Sequence, residues 1–180
     1  MIRRVVTGHR NGKAVVLGDG VPARTHVFES YKGMAASFAW AEPAQPRVGE
    51  VSVAEAVTDK TLMLPAPGES RLVMMAVPPD SWALGDDFNP TAAGMEFAEH
   101  YGEMAALMEA DNPGMHRTDS VDYVFVLRGE VSLELDDQET VHLRAADVVI
   151  QNGTRHAWRN TTDSVALLAY VIVGATRVDA

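Results

Sequence analysis

The chain has 180 residues, which suits one domain able to bury about 70% of the surface its unfolded form exposes. Its 47% hydrophobic content supports a packed core rather than disorder. A formal charge of −10 without a basic cluster argues against nucleic acid or anionic lipid as a partner, because both depend on concentrated Lys and Arg. The absence of cysteine excludes disulfides, a thiolate nucleophile and thiolate metal ligation, so any metal must sit on imidazole and oxygen.

Arg3 and Arg4 begin the chain without the apolar stretch and small-residue cleavage site of a secretory signal. The longest apolar run, Val165 to Ala175, is too short for a membrane helix, which needs about 20 residues. The expectation is a soluble cytoplasmic protein with no membrane partner.

Arg3 to Thr7 and Lys13 to Leu17 are expected strands joined at the turn-rich His9 to Gly12. Arg24 to Glu29 and Ala35 to Ala41 continue the β pattern, with Trp40 as an expected core anchor. Thr61 to Leu64 and Arg71 to Val77 read as a strand pair joined through Pro65-Ala-Pro-Gly68. Leu72 to Val77 is apolar on both faces, so it must be covered twice. Trp82 to Asp87 reads as loop.

Thr91 to Ala110 is the one helix of the pattern, because Phe97, Tyr101, Met104 and Met108 recur on one face. Asn89-Pro90 can start it and Asn112-Pro113-Gly114 ends it. Glu96, His100 and Glu103 mark a neighbouring stripe whose spacing suits a metal but whose ordinary reading is a solvated face.

The informative stretch is Gly114 to Asn160. Strand alternation places His116, Thr118, Asp122, Val124 and Val126 toward one face, given a bend around Asp119-Ser120, and Tyr123, Phe125 and Leu127 toward the other. Because those three are apolar as well, the outer face should be covered, either by the N-terminal strands or by a second subunit, and a homodimer is expected. Val131 to Leu135 and Thr140 to Leu143 form a hairpin turning at Asp136 to Glu139. Asp147 to Ile150, His156 to Trp158 and the almost wholly apolar Val165 to Val173 complete the strand set. Many short strands with turns between them fit an all-β double-sheet jelly roll.

The same stretch resembles the two signature motifs of the cupin superfamily. His116 falls at the first motif's leading histidine, Thr118 at its second, Asp122 at its glutamate and Gly129 at its closing glycine. In the second motif Gly153, His156 and Asn160 fall at the glycine, histidine and asparagine. The departures are Thr118 for histidine, Asp122 for glutamate, Gln151 for proline and Ala146 for glycine. They leave the fold inference intact and weaken the metal inference. The implied architecture is one cupin domain over 1–180, an all-β double-stranded β-helix or jelly-roll barrel. Within it, 1–88 supplies N-terminal strands as a β extension, 89–112 the α-helix and 113–175 the motif strands.

Function then divides into two classes. In the first, the barrel binds a small, largely apolar organic molecule among Thr118, Val124, Val126, Gln151 and Trp158, oriented by an incomplete His/carboxylate site. In the second, His116, Asp122 and His156 hold one divalent ion (Fe, Mn, Ni or Zn), and the protein is a dioxygenase, isomerase or cyclase acting on a small organic acid or aromatic. The resemblance allows the ion and equally its absence. Two imidazoles and a carboxylate on one face of an ion suit oxygen chemistry. Asp122, however, reaches roughly 1.5 Å less than Glu would, whereas metal–ligand distances tolerate about 0.2 Å. Without metal, the same three residues would form a satisfied polar cluster. Asn160 reads as a turn cap, Arg117 and Arg155 as facing water, and Met74, Met75 and Met115 as core fillers. No serine–histidine arrangement or phosphate loop appears, so no catalytic residue is assigned.

Overall fold

The computed structural model describes residues 2–49 and 53–178. An N-terminal ribbon of β1 (Arg4–Arg10) and β2 (Lys13–Gly20) turns at Asn11 and Gly12, both at positive φ. Then follow β3 (Arg24–Val27), β4 (Ala35–Glu42) and β5 (Ser70–Val77), α1 (Pro90–Ala105), and β6 (Ser120–Arg128), β7 (Glu130–Glu134), β8 (Thr140–Arg144), β9 (Val148–Asn152), β10 (Ala157–Arg159) and β11 (Ala166–Gly174). Six strands form one sheet in the order β3-β4-β5-β11-β6-β9, and β10-β7-β8 form the facing sheet. All pairings are antiparallel. Phe38, Val73, Val124, Val126, Val131, Leu133, Leu168 and Ile172 belong to the hydrophobic core between the sheets.

The expected strand at Thr61 to Leu64 does not form, and side chains explain why. The Arg24 guanidinium takes the Thr61 carbonyl, Arg71 takes the Leu62 carbonyl at 2.9 Å, and the Glu103 carboxylate takes the Met63 and Leu64 N–H groups. With its backbone groups satisfied in this way, the segment needs no ladder. β5 pairs instead with β4 and β11. Its inward residues pack in the core, while Leu72 and Met74 face outward onto an apolar groove shared with Ile2, Leu127 and Leu167. Met74 is thus a groove residue, whereas Met75 packs against the core and Met115 is fully buried.

The helix starts as expected: Asn89 caps it by accepting the Ala92 N–H at 3.1 Å, with Pro90 in the first turn. It ends sooner, at Ala105, after a kink at Tyr101. The Glu109 N–H goes to the Met115 carbonyl at 2.9 Å, turning the chain toward the barrel. Phe97 and Tyr101 stack on Phe28, with ring centroids 6.1 and 6.2 Å away, and fasten α1 beyond β3. The polar stripe is solvated only at His100, which is exposed; Glu96 and Glu103 are half-buried and take donors from neighbouring loops. Glu96 accepts the Glu29 and Ser30 N–H groups at 2.9 Å each, His26 Nε2 at 2.7 Å and the Ser30 hydroxyl. His100 stacks on His26 at 3.6 Å.

Further corrections have similar causes. Trp40 is only half-buried, because its indole N–H bonds Glu42 at 2.6 Å and Arg4 lies over its ring; Phe38 is the buried anchor. Arg155 does not face water alone, since Glu109 holds it through two bonds of 2.6 Å and Asp136 through one of 3.0 Å. Asp80–Leu84 is a short 3-10 helix that overlaps the start of the loop expected at Trp82 to Asp87.

Candidate functional site

The inward row of β6 extends upstream in unbroken alternation: His116, Thr118, Ser120, Asp122, Val124 and Val126 are all buried. Ser120 points inward with the rest, so the bend expected at Asp119-Ser120 is unnecessary. His116 and His156 sit directly opposite each other in an antiparallel bridge, exchanging both backbone hydrogen bonds at 3.0 and 2.9 Å. Opposed residues of such a pair project to the same face, which brings the imidazole centroids to 4.4 Å. Gly153 makes the approach possible. At φ +58° it turns the chain before His156, and a Cβ there would stand 3.0 Å from the Thr118 carbonyl oxygen.

Each ring nitrogen Nδ1 lies 3.0 Å from a carbonyl two residues upstream, that of Gly114 for His116 and Thr154 for His156. A carbonyl accepts only, so both Nδ1 atoms carry the proton and the neutral rings keep their lone pairs on Nε2. Burial lowers the pKa of His116 against the help of the Gly114 carbonyl. Burial, reinforced by the neighbouring His116, pushes His156 down to about 4. The pair is neutral at physiological pH.

Asp122 lies further along the row, opposite Gln151 of β9 and Ile172 of β11. Burial raises its pKa to about 6, with the Ser120 hydroxyl opposing, and its Oδ1 has no hydrogen-bond partner. The Gln151 amide is turned aside onto the Thr154 hydroxyl. Trp158 stands between rings: His156 meets it edge-on at 6.0 Å and Tyr170 at 6.0 Å from β11. Thr118 accepts the Ser120 hydroxyl at 2.8 Å. Both residues also line an open cleft of about 800 Å³ at this end of the barrel, with Leu64, Pro65 and Leu107. Arg117, exposed as expected, borders it. Asn160 is fully buried, its amide donating to the Val77 and Ser164 carbonyls at 2.9 Å each while its oxygen accepts from Thr162. It caps the turn and also ties it to the end of β5.

The residues expected to line the barrel therefore lie on its inward faces, whereas the three-ligand metal set does not assemble. Among the described residues no group of three or more His, Asp or Glu is placed to hold a metal ion. Two bare Nε2 edges would suit an ion, but among the described residues the donor set stops short of a third protein ligand. Sequence reasoning missed Tyr170. Its signal was available: it is the one hydroxyl in the Val165 to Val173 run, in step with the inward Leu168 and Ile172.

A family model described as Cupin domain matches residues 105–173. The match covers the segment that holds the motif residues and nearly all of strands β6 to β11. Phomopsin biosynthesis cluster protein C' of Diaporthe leptostromiformis is 54% identical over 46 residues, 26% of this chain and 24% of that protein. Oryzines biosynthesis cluster protein J of Aspergillus oryzae is 37% identical over 67 residues, 37% of each chain. Cupin-domain-containing oxidoreductase virC of Hypocrea virens is 42% identical over 53 residues, 29% of this chain and 27% of that protein. The chain thus spans about a quarter of the length of the phomopsin relative. Among solved structures, a Cupin 2 conserved barrel domain protein from Salinispora arenicola has a TM-score of 0.38 at 18% identity, covering 66% of this chain and 71% of that one. Among the described residues no helix is long and apolar enough to cross a membrane.

Proposed function

We propose that the barrel binds a small, largely apolar organic molecule, oriented at one pole by His116, Asp122 and His156 and lined by Thr118, Val124, Val126, Gln151 and Trp158. The observation that carries this reading is the division of one buried row: its four upstream residues are polar and its two downstream residues aliphatic. Burying four polar side chains in a row costs stability unless they are paired, and Asp122 is not fully paired. An interior built this way favours a ligand with one polar end. The biosynthesis-cluster names of the fungal relatives lend support to a small-molecule role.

The test is calorimetric titration of the purified chain with naphthalene derivatives, alongside Val124→Trp, which would fill the interior. Binding by the wild type that is lost in the variant supports the reading, and no binding by any derivative contradicts it. A metal-dependent enzyme is the competing reading, favoured by the Nε2 lone pairs and by the oxidoreductase name of one relative. Elemental analysis of untagged protein separates the two. Near-stoichiometric metal that disappears in His116→Ala and His156→Ala would replace the binding reading.

We also infer that a second copy covers the outer face of the larger sheet. Tyr123, Phe125 and Leu127 remain 42, 37 and 48% exposed, with Val148 and Ile150 beside them on β9. The N-terminal residues reach only the Leu127 end, at the groove with Ile2. Two chains of charge −10 repel least where they present uncharged surface. Light scattering on the eluting protein should give the mass of two chains, and Phe125→Lys should give the mass of one. A wild-type monomer would contradict this.

A further inference from the structure

Inside the barrel two polar atoms are buried and unpartnered: Asp122 Oδ1 and the Tyr170 hydroxyl, on residues 6% and 8% exposed. Asp122 is on β6 and Tyr170 on β11, its neighbour in the sheet. Tyr170 pairs with Val124, and Ile172 with Asp122, so the two side chains are inward-facing diagonal neighbours. They are close enough for the Asp122 charge to disfavour ionisation of the phenol. One is an acceptor and the other a donor, yet they do not bond each other. Trp158 meets Tyr170 at 83° and supplies an apolar wall beside them.

A group that satisfies both atoms must donate to the carboxylate and accept from the phenol. A ketone only accepts and an ammonium only donates. A carboxylate brings like charge against Asp122 in a chain already at −10. A neutral hydroxyl does both. We propose that Asp122 and Tyr170 are a recognition pair for a ligand hydroxyl, so that the barrel selects an apolar alcohol or phenol over the corresponding hydrocarbon, amine or acid. This rests on the small-molecule reading of the barrel and sets the ligand class. In the complex the hydroxyl donates to Asp122 Oδ1 and accepts the Tyr170 proton, while the ring lies against Trp158 and the aliphatic end of the β6 row.

The probes are naphthalene, naphthol, naphthylmethylamine (an ammonium at neutral pH) and naphthoic acid, titrated calorimetrically into wild type and Tyr170→Phe. The phenylalanine variant keeps the ring and its packing and removes only the hydroxyl. The wild type should prefer naphthol over naphthalene by roughly tenfold or more, the scale of a hydrogen bond made by otherwise unsatisfied buried groups. Tyr170→Phe should bind naphthalene as before and lose most of that preference. If naphthol and naphthalene bind alike, or the preference survives in Tyr170→Phe, the recognition pair is overturned while the binding reading stands; a bridging water would give the first result. If naphthoic acid binds best, the hydroxyl class is overturned. If no probe binds either protein, the binding reading itself fails and the pair falls with it.

Discussion

Two shielded carboxylates show opposite physics. Glu96, at the junction of α1 with β3, receives backbone N–H groups, a hydroxyl and an imidazole, and its pKa falls to about 2, chiefly through the Ser30 hydroxyl. Asp122, inside the barrel, has an oxygen with no partner, and burial lifts its pKa to about 6. A carboxylate that holds a fold together is saturated with donors. One left wanting a donor lowers the stability of the empty protein and is available to something else. The junction is built for stability, and the barrel interior trades some of it away.

The contrast is broken most severely at the junction. Glu96→Ala strands two backbone N–H groups and should cost about 3 kcal/mol, read as a lower midpoint in urea; a loss below about 1 kcal/mol would remove the junction's role. The pH profile carries the same sign. Because the folded pKa lies below the ordinary value near 4.5, Glu96 contributes its full stabilisation above that pH, and the contribution is lost as pH falls toward about 2. The wild-type advantage over Glu96→Gln should shrink across that window.

Asp122→Asn should do the reverse and stabilise the unliganded protein by about 2 kcal/mol near pH 7. A folded pKa raised from 3.8 to about 6 means that the penalty develops between those values and is complete above them. The stabilisation should therefore fade as pH is lowered to about 4. Equal stability of variant and wild type near pH 7 would show that the carboxylate is already satisfied. The smallest change is Tyr170→Phe, expected to raise unliganded stability by about 1 kcal/mol, because it removes a buried hydroxyl without a partner. A loss instead would show that the hydroxyl is bonded.

Legibility in the sequence followed the same division. The row from His116 to Val126 and its partner His156 could be read by alternation and motif because strand period and buried face coincide there. Glu96 and Glu103 could not, because a stripe of carboxylates on a helix looks solvated until loops are seen to deliver their N–H groups to it. The missing strand at Thr61 to Leu64 failed for the same reason: long-range side chains took the backbone bonds that a local pattern assigns to a ladder. Tyr170 was hidden by its neighbours, a single hydroxyl in an aliphatic run. Its place beside Asp122 depends on which strands lie next to each other, and that order is set by tertiary pairing.

If Asp122 recognises a ligand hydroxyl as proposed, its carboxylate stays unsatisfied until that ligand arrives. Carbon NMR titration of that carboxyl in metal-free protein tests it directly, alone and with saturating naphthol. A pKa near 6 is expected in the free protein and a lower one in the complex, because a donated hydrogen bond favours the charged form. A free-protein value in the ordinary carboxylate range, unmoved by the ligand, would contradict it.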